Sequence, residues 1–305
     1  MDLIPYGLKW LEFILRWMHV IFAILWVGNS FLFVYLDNKL NQNTFTNTNS
    51  SVDKEGYLMH SGYFYKLSRL KTAPPTEYLK SLVIFKWQSY LTFITGVLLL
   101  CVTYYYNAGI LMVNKKVLDI APHTAIIISV AFLFLYWIVY DLLCKSSIIN
   151  NTKLFLTIAF ALLIATSYGL TQIFNARFAF LSVGLILGTN MFGNVFTVII
   201  PNQNKIIESS LNNQKFDGSL SLAAKQRSIH NNYSTYVVLF IMPSGHAGLI
   251  VYNKYNWLIL CAIAIILIFA RHYFNLRGRN TNNIFVLLGS IFATLLLASI
   301  IYILK

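Results

Sequence analysis

Eight apolar stretches, each long enough to cross a bilayer, take up most of this 305-residue chain. A span of roughly 20 apolar residues matches a hydrocarbon core about 30 Å thick. The runs lie at 10–37, 80–106, 121–144, 152–174, 177–200, 230–250, 255–273 and 283–304. Pro243 and Gly245 interrupt the sixth. Inside lipid the backbone must satisfy its own hydrogen bonds, so each run is expected to be a helix. A mean hydropathy of +0.64 and a charged fraction of 11% argue against a soluble fold. The segments between runs are too short for a soluble domain. The first run is too long for a signal peptide and lacks its small-residue cleavage pattern. The expected fold is therefore all-α: one integral membrane domain over 1–305 with eight transmembrane helices.

A net charge of +13 could point to nucleic acid, but its distribution does not. The basic residues sit mainly between spans, where they report topology. With alternate loops on opposite sides, one side receives sixteen Lys and Arg, among them Lys39, Lys86, Lys145, Lys225, Arg227, Arg271 and Arg279. The other receives seven: Lys9, Arg16, Lys115, Lys116, Arg177, Lys254 and Lys305. The richer side is assigned to the cytoplasm of an inner membrane. Both termini then face the exterior, and loop 38–80 is cytoplasmic. Membrane lipid is the expected partner, and nucleic acid is not.

The stretch Asn38 to Ser51 is rich in Asn, Thr and Ser and reads as a linker. MHSGYFYKLSRLK follows, alternating aromatic and basic residues with apolar ones. That pattern predicts an ordered element against the membrane surface. The two halves also look alike. VGNSFLFVYLDNKL at 27–40 parallels FGNVFTVIIPNQNK at 192–205, and KWQSYLT at 86–92 parallels IHNNYST at 229–235. The order is preserved, which predicts a parallel four-plus-four repeat, with amide-rich turns closing both first members.

Polar residues inside spans are costly and usually face a bundle interior or a cavity. Asp37, Asn38, Lys86, Gln88, Asn202, Gln203, His230, Asn231, Asn232 and Arg271 all map to cytoplasmic span ends. Asn29, Asn190 and Asn194 lie deeper. Amides, cations and aromatics suit a planar anion rich in hydrogen-bonding groups; the plainer alternative is helix capping and headgroup contact. His60, His230 and His272 fall on the cytoplasmic side, and His123 and His246 on the outer side. His19 sits inside the first span, either as a helix–helix hydrogen-bonding residue or as an axial ligand of a b-type haem. Cys101, Cys144 and Cys261 are scattered through spans and read as small buried hydrophobes. There is no C-x-x-C-H motif, so no covalent c-type haem is expected on this chain. H-E-x-x-H and Gly-rich nucleotide motifs are also missing, and no metal site is expected.

At several of these segments the chain resembles the membrane domain of bacterial cytochrome-c-type urate hydroxylases. The similarity rests on LKWLEFILRWMHVIFAILWVGNSFLFVYLDN at 8–38, HSGYFYKLSRLKTAP at 60–74, FKWQSYLTFITG at 85–96 and VYDLL at 139–143. NVFTVIIPNQNK at 194–205, AAKQRSIHNNY at 223–233 and YNWLILCAIAIILIFARHYFNLRG at 255–278 complete it. The resemblance implies oxidation of urate to 5-hydroxyisourate. Many relatives continue into a C-terminal cytochrome c domain. This sequence ends at Lys305, so a separate cytochrome c or another acceptor is expected. Urate at neutral pH is a planar monoanion. Amides suit its edges, Arg or Lys its charge, and aromatic rings its faces. The expected pocket is Arg227, Asn231, Asn232, Asn202, Gln203, Lys86 and Gln88. His230 is the first choice for proton transfer, with His60 and His272 next. Two rivals remain: a transporter of a purine-like anion and a haem-binding electron-transfer subunit.

Overall fold

A computed structural model describes residues 3–42, 51–212, 214–215, 217–279, 281 and 283–303. Eight long helices stand among them: α1 (Leu3–Gln42), α2 (Trp87–Tyr105), α3 (Pro122–Lys145), α4 (Thr152–Thr171), α5 (Ala176–Leu211), α6 (Gly218–Ile241), α7 (Asn256–Arg277) and α8 (Ile284–Ile303). Seven of them are long and apolar enough to cross a membrane. The exception is α6. It has 24 residues, ample for a span, but it carries Arg227, Asn231, Asn232 and Thr235, all buried.

The bounds correct several expectations. The sixth run, read as 230–250, is helical from Gly218 to Ile241. Asp217 starts it by accepting hydrogen bonds from the Ser219 hydroxyl and the Ser219 N–H. Those two bonds, the hydroxyl's first, hold its carboxyl below the usual carboxylate range. This cap is complete above the unfolded-state pKa and is lost as pH falls through the lowered folded value. The second run begins at Trp87 rather than at 80, because Lys80 and Lys86 bracket an apolar piece too short for a span.

Both amide-rich segments expected as turns are helical. The first lies in α1 through Gln42, and the second in α5. Pro201 does not break α5, because Asn194–Ile199 immediately before it is π-helical. A π turn shifts the carbonyl pairing just where the proline has no N–H to donate. Gly28 and Gly193, matched in the apparent repeat, differ in surroundings. Space beside Gly28 is open, whereas a Cβ on Gly193 would lie 2.6 Å from the Trp137 ring. That close approach packs α3 tightly against α5.

The fold is not purely helical. MHSGYFYKLSRLK lies in an antiparallel hairpin, β1 (Val52–His60) and β2 (Tyr63–Leu70). Ser61 at φ 50° and Gly62 at φ 83° make the two-residue turn, the left-handed pair that matches strand twist. Most of the expected linker, residues 43–50, lies outside the described residues.

α5 is the most enclosed of the seven apolar helices and packs against α2, α3, α4, α6 and α7. Phe174, Phe178, Leu170 and Ile186 are fully buried around it, with Met112, Ile241 and Leu260. α1 pairs mainly with α2, and α8 with α7. α8 leaves Phe285, Leu288, Phe292 and Leu295 exposed, the apolar stripe expected of a lipid-facing helix.

Candidate functional site

The polar residues of α6 divide between two faces. Residues three and four apart share a helix face, while those two apart do not. Arg227, His230 and Asn231 therefore point one way, and Asn232 points another.

The first face meets α3 and α5. The Arg227 guanidinium, 3% exposed, donates through Nη2 to Asp141 Oδ1 at 2.7 Å. Its Nη1 donates to Asn194 Oδ1 at 3.1 Å, and its Cζ stands 5.2 Å from the Tyr140 ring centroid. Asp141 also receives Lys145 Nζ at 2.6 Å. The Asn194 amide donates to Tyr140 Oη at 2.9 Å and to Asn231 Oδ1 at 2.8 Å. Asn231 Nδ2 in turn donates to the Met191 carbonyl. Tyr140 Oη lies 2.8 Å from His230 Nδ1, and Cys144 Sγ lies 3.7 Å from the same nitrogen. His230 stacks on Phe155 of α4 at 5.0 Å. The Asn194 and Asn231 side chains have donors and acceptor used within the cluster, and the Arg227 charge is matched by a carboxylate. A network satisfied in this way specifies packing.

The second face meets α1 and α7. Arg271 Nε donates to Asn232 Oδ1 at 2.6 Å, and Asn232 Nδ2 donates to Asn275 Oδ1 at 3.0 Å. The Arg271 guanidinium lies over the Phe31 ring, its Cζ 3.7 Å from the centroid. The Tyr233 hydroxyl is 2.8 Å from His272 Nδ1. Here the bundle opens into a cavity of ≈ 400 Å³, within the range of small-molecule sites. Asp37 and Asn38 come from α1, Lys225, Asn232 and Tyr233 from α6, and Asn275 and Arg279 from the end of α7 and the turn after it.

The expected pocket residues thus separate. Asn232 lines the cavity, and His272 touches it through Tyr233. Arg227, His230 and Asn231 belong to the closed cluster. Asn202 ties α5 to α6 through the Leu220 carbonyl, while Gln203 is exposed. Lys86 heads α2 with its ammonium 5.9 Å from the Trp87 ring. Gln88 lies near the start of α2, its Oε1 buried without a hydrogen bond among the described residues. His60 is exposed at the end of β1. Sequence reasoning missed Asp141, Tyr140 and Asn275 as members of these clusters. A signal for Asp141 existed: a carboxylate inside an apolar run needs a buried cation.

His19 joins α1 to α2. Its Nδ1 lies 2.9 Å from the Thr92 carbonyl and 3.1 Å from Thr95 Oγ1. A Cβ on Gly96 would stand 3.0 Å from the ring, so this glycine makes room for the imidazole. With the Nδ1 proton on the carbonyl, Nε2 keeps its lone pair, the tautomer found in metal-bound histidines. The residue thus makes the helix–helix bond that was one of its two expected roles, and a free Nε2 lone pair is what the other role would require. His19→Ala is expected to cost about 1 kcal/mol from the lost hydrogen bond, measured by thermal denaturation in detergent. An unchanged melting temperature would show that this contact does not hold α1 to α2. Among the described residues no group of three or more His, Cys, Asp or Glu gathers as a metal site.

Fold and site together define a helical bundle of membrane-spanning dimensions with a ligand-sized polar cavity at one end. The chain belongs to the urate oxidase N-terminal family, whose sequence profile matches residues 5–303. Membership supports a urate-related function of oxidoreductase type. No curated protein and no solved structure matches the chain.

Proposed function

We propose that this protein is an inner-membrane urate hydroxylase that binds urate in the cavity between α1, α6 and α7. The observation that carries the reading is the chemistry of that cavity: amides from Asn38, Asn232 and Asn275 beside the cations Lys225 and Arg279, which outnumber the one carboxylate of the lining, Asp37. Amide edges match the donors and acceptors of a purine, and the cations offset its negative charge. Urate and water become 5-hydroxyisourate, two protons and two electrons. Attack by water at the ring carbon requires a base. The Tyr233 hydroxyl, held by His272 Nδ1, takes a proton from the water as it passes its own to the imidazole. This gives His272 the proton-transfer role and leaves His230 in the supporting cluster. The two electrons leave one at a time to a cytochrome c or a comparable one-electron acceptor. A b-type haem would be held by His19, whose Nδ1 is engaged by the Thr92 carbonyl, and would supply one-electron acceptance.

The purified full chain in lipid nanodiscs, given urate and ferric cytochrome c, is expected to reduce the cytochrome and consume urate together. Tyr233→Phe removes the relay while leaving the ring in place. It should lower kcat by about 10²–10⁴, the range of general acid–base contributions. Urate recovered chemically unchanged with every acceptor offered would instead mark a transporter, and unaltered turnover by Tyr233→Phe would remove the relay.

A further inference from the structure

The hairpin has no part in the cavity, yet its distal half is bare and apolar. Tyr57 pairs with Lys66, Leu58 with Tyr65, Met59 with Phe64 and His60 with Tyr63. Alternation along the strands puts Tyr57, Met59 and Phe64 on one face and Leu58, Tyr63 and Tyr65 on the other. Tyr57, Met59, Tyr63, Phe64 and Tyr65 are all exposed, Phe64 to 80%. Charge collects toward the base, where Arg69 pairs with Asp53 and Lys66 with Glu55. Residues 52–71 hold four basic side chains, Lys54, Lys66, Arg69 and Lys71, against two acidic ones.

Water is a poor surrounding for this element. A lone two-stranded hairpin is marginally stable, and a contiguous bare apolar patch marks a surface that something covers. A flat protein partner would cover one face. Here both faces of the tip are apolar, so the occupant must surround it. The boundary between lipid headgroups and acyl chains does so, accepting amphipathic tyrosines and drawing basic flanks toward anionic headgroups. Depth is limited, because both strands of a two-stranded sheet are edge strands and hydrocarbon cannot satisfy the backbone groups along an edge.

We infer that the hairpin tip, residues 57–65, embeds in the interfacial layer of the bilayer that the helices cross. β1 packs against α1, the helix that contributes Asp37 and Asn38 to the cavity. The embedded tip therefore braces α1 from outside the bundle.

The test replaces Phe64 with p-benzoylphenylalanine in the full chain, in nanodiscs of phosphatidylethanolamine and phosphatidylglycerol. The position is exposed, so the larger ring does not disturb a core. Irradiation is expected to shift the protein mass by one phospholipid, whereas the same probe at exposed Glu208 should give no such shift. A cross-link to a second copy of the chain, or a protein mass left unchanged, would overturn the assignment.

Discussion

Asp141→Ala should destabilise the folded protein by about 3–5 kcal/mol, the usual result of stranding one partner of a buried ion pair. The guanidinium of Arg227 is almost wholly enclosed, and among the described residues Asp141 supplies its one carboxylate contact, at 2.7 Å. Lys145 shares that carboxylate but stands in the open, so it loses little. Arg227→Ala should cost a similar amount, because it leaves Asp141 and Asn194 short of donors. The double replacement Asp141→Leu/Arg227→Met should recover part of the loss, since two apolar groups of similar size leave no buried charge unpaired. Denaturation of the three variants in detergent measures this. Single variants within about 1 kcal/mol of the parent, as for an exposed pair, would show that the pair contributes little.

Asn232→Asp separates binding from folding on the other face. The carboxylate keeps an acceptor for Arg271 Nε, now as an ion pair, and loses only the donor to Asn275. The fold should hold. The new charge sits on the cavity wall, where it repels a urate anion. At about 5 Å and an effective dielectric near 20, like charges repel by about 3 kcal/mol; the neighbouring Arg271 offsets part of this. KM for urate should rise about tenfold to a hundredfold, with kcat changing far less. Gln203→Ala, on an exposed side chain, serves as the silent control. A folded Asn232→Asp protein with the parent's KM would place urate elsewhere.

The helices were legible because a bilayer-length apolar run has few alternatives. α6 was the hardest to bound for the reason that makes it informative: its polar residues are buried against other helices, so hydropathy alone places its start at His230 when it begins twelve residues earlier. The hairpin was hidden because an apolar–basic alternation suits an interfacial helix as well as a strand. The Ser61–Gly62 turn, which decides the matter, shows in a sequence only as an ordinary Ser-Gly pair. For the site, residue types carried the reading but direction did not. His230 and Asn232 were placed in one pocket, though residues two apart on a helix diverge. Which of them meets an open space depends on the neighbours, α3 and α4 for one and α1 and α7 for the other. Residue spacing does not encode that choice.

The Asp141–Arg227 pair bears on how the chain is made. Its members are separated by 86 positions, and at 5–20 residues per second a ribosome needs roughly 4–17 s to supply the second after the first. α3 is therefore complete before its acid can be matched from across the bundle. Lys145, one turn along the same helix and bonded to Asp141 in the folded protein, is within reach to serve as counter-ion in the meantime. In the folded protein Arg227 takes one carboxylate oxygen and leaves Lys145 the other, so the acid need not give up one counter-ion to gain the next.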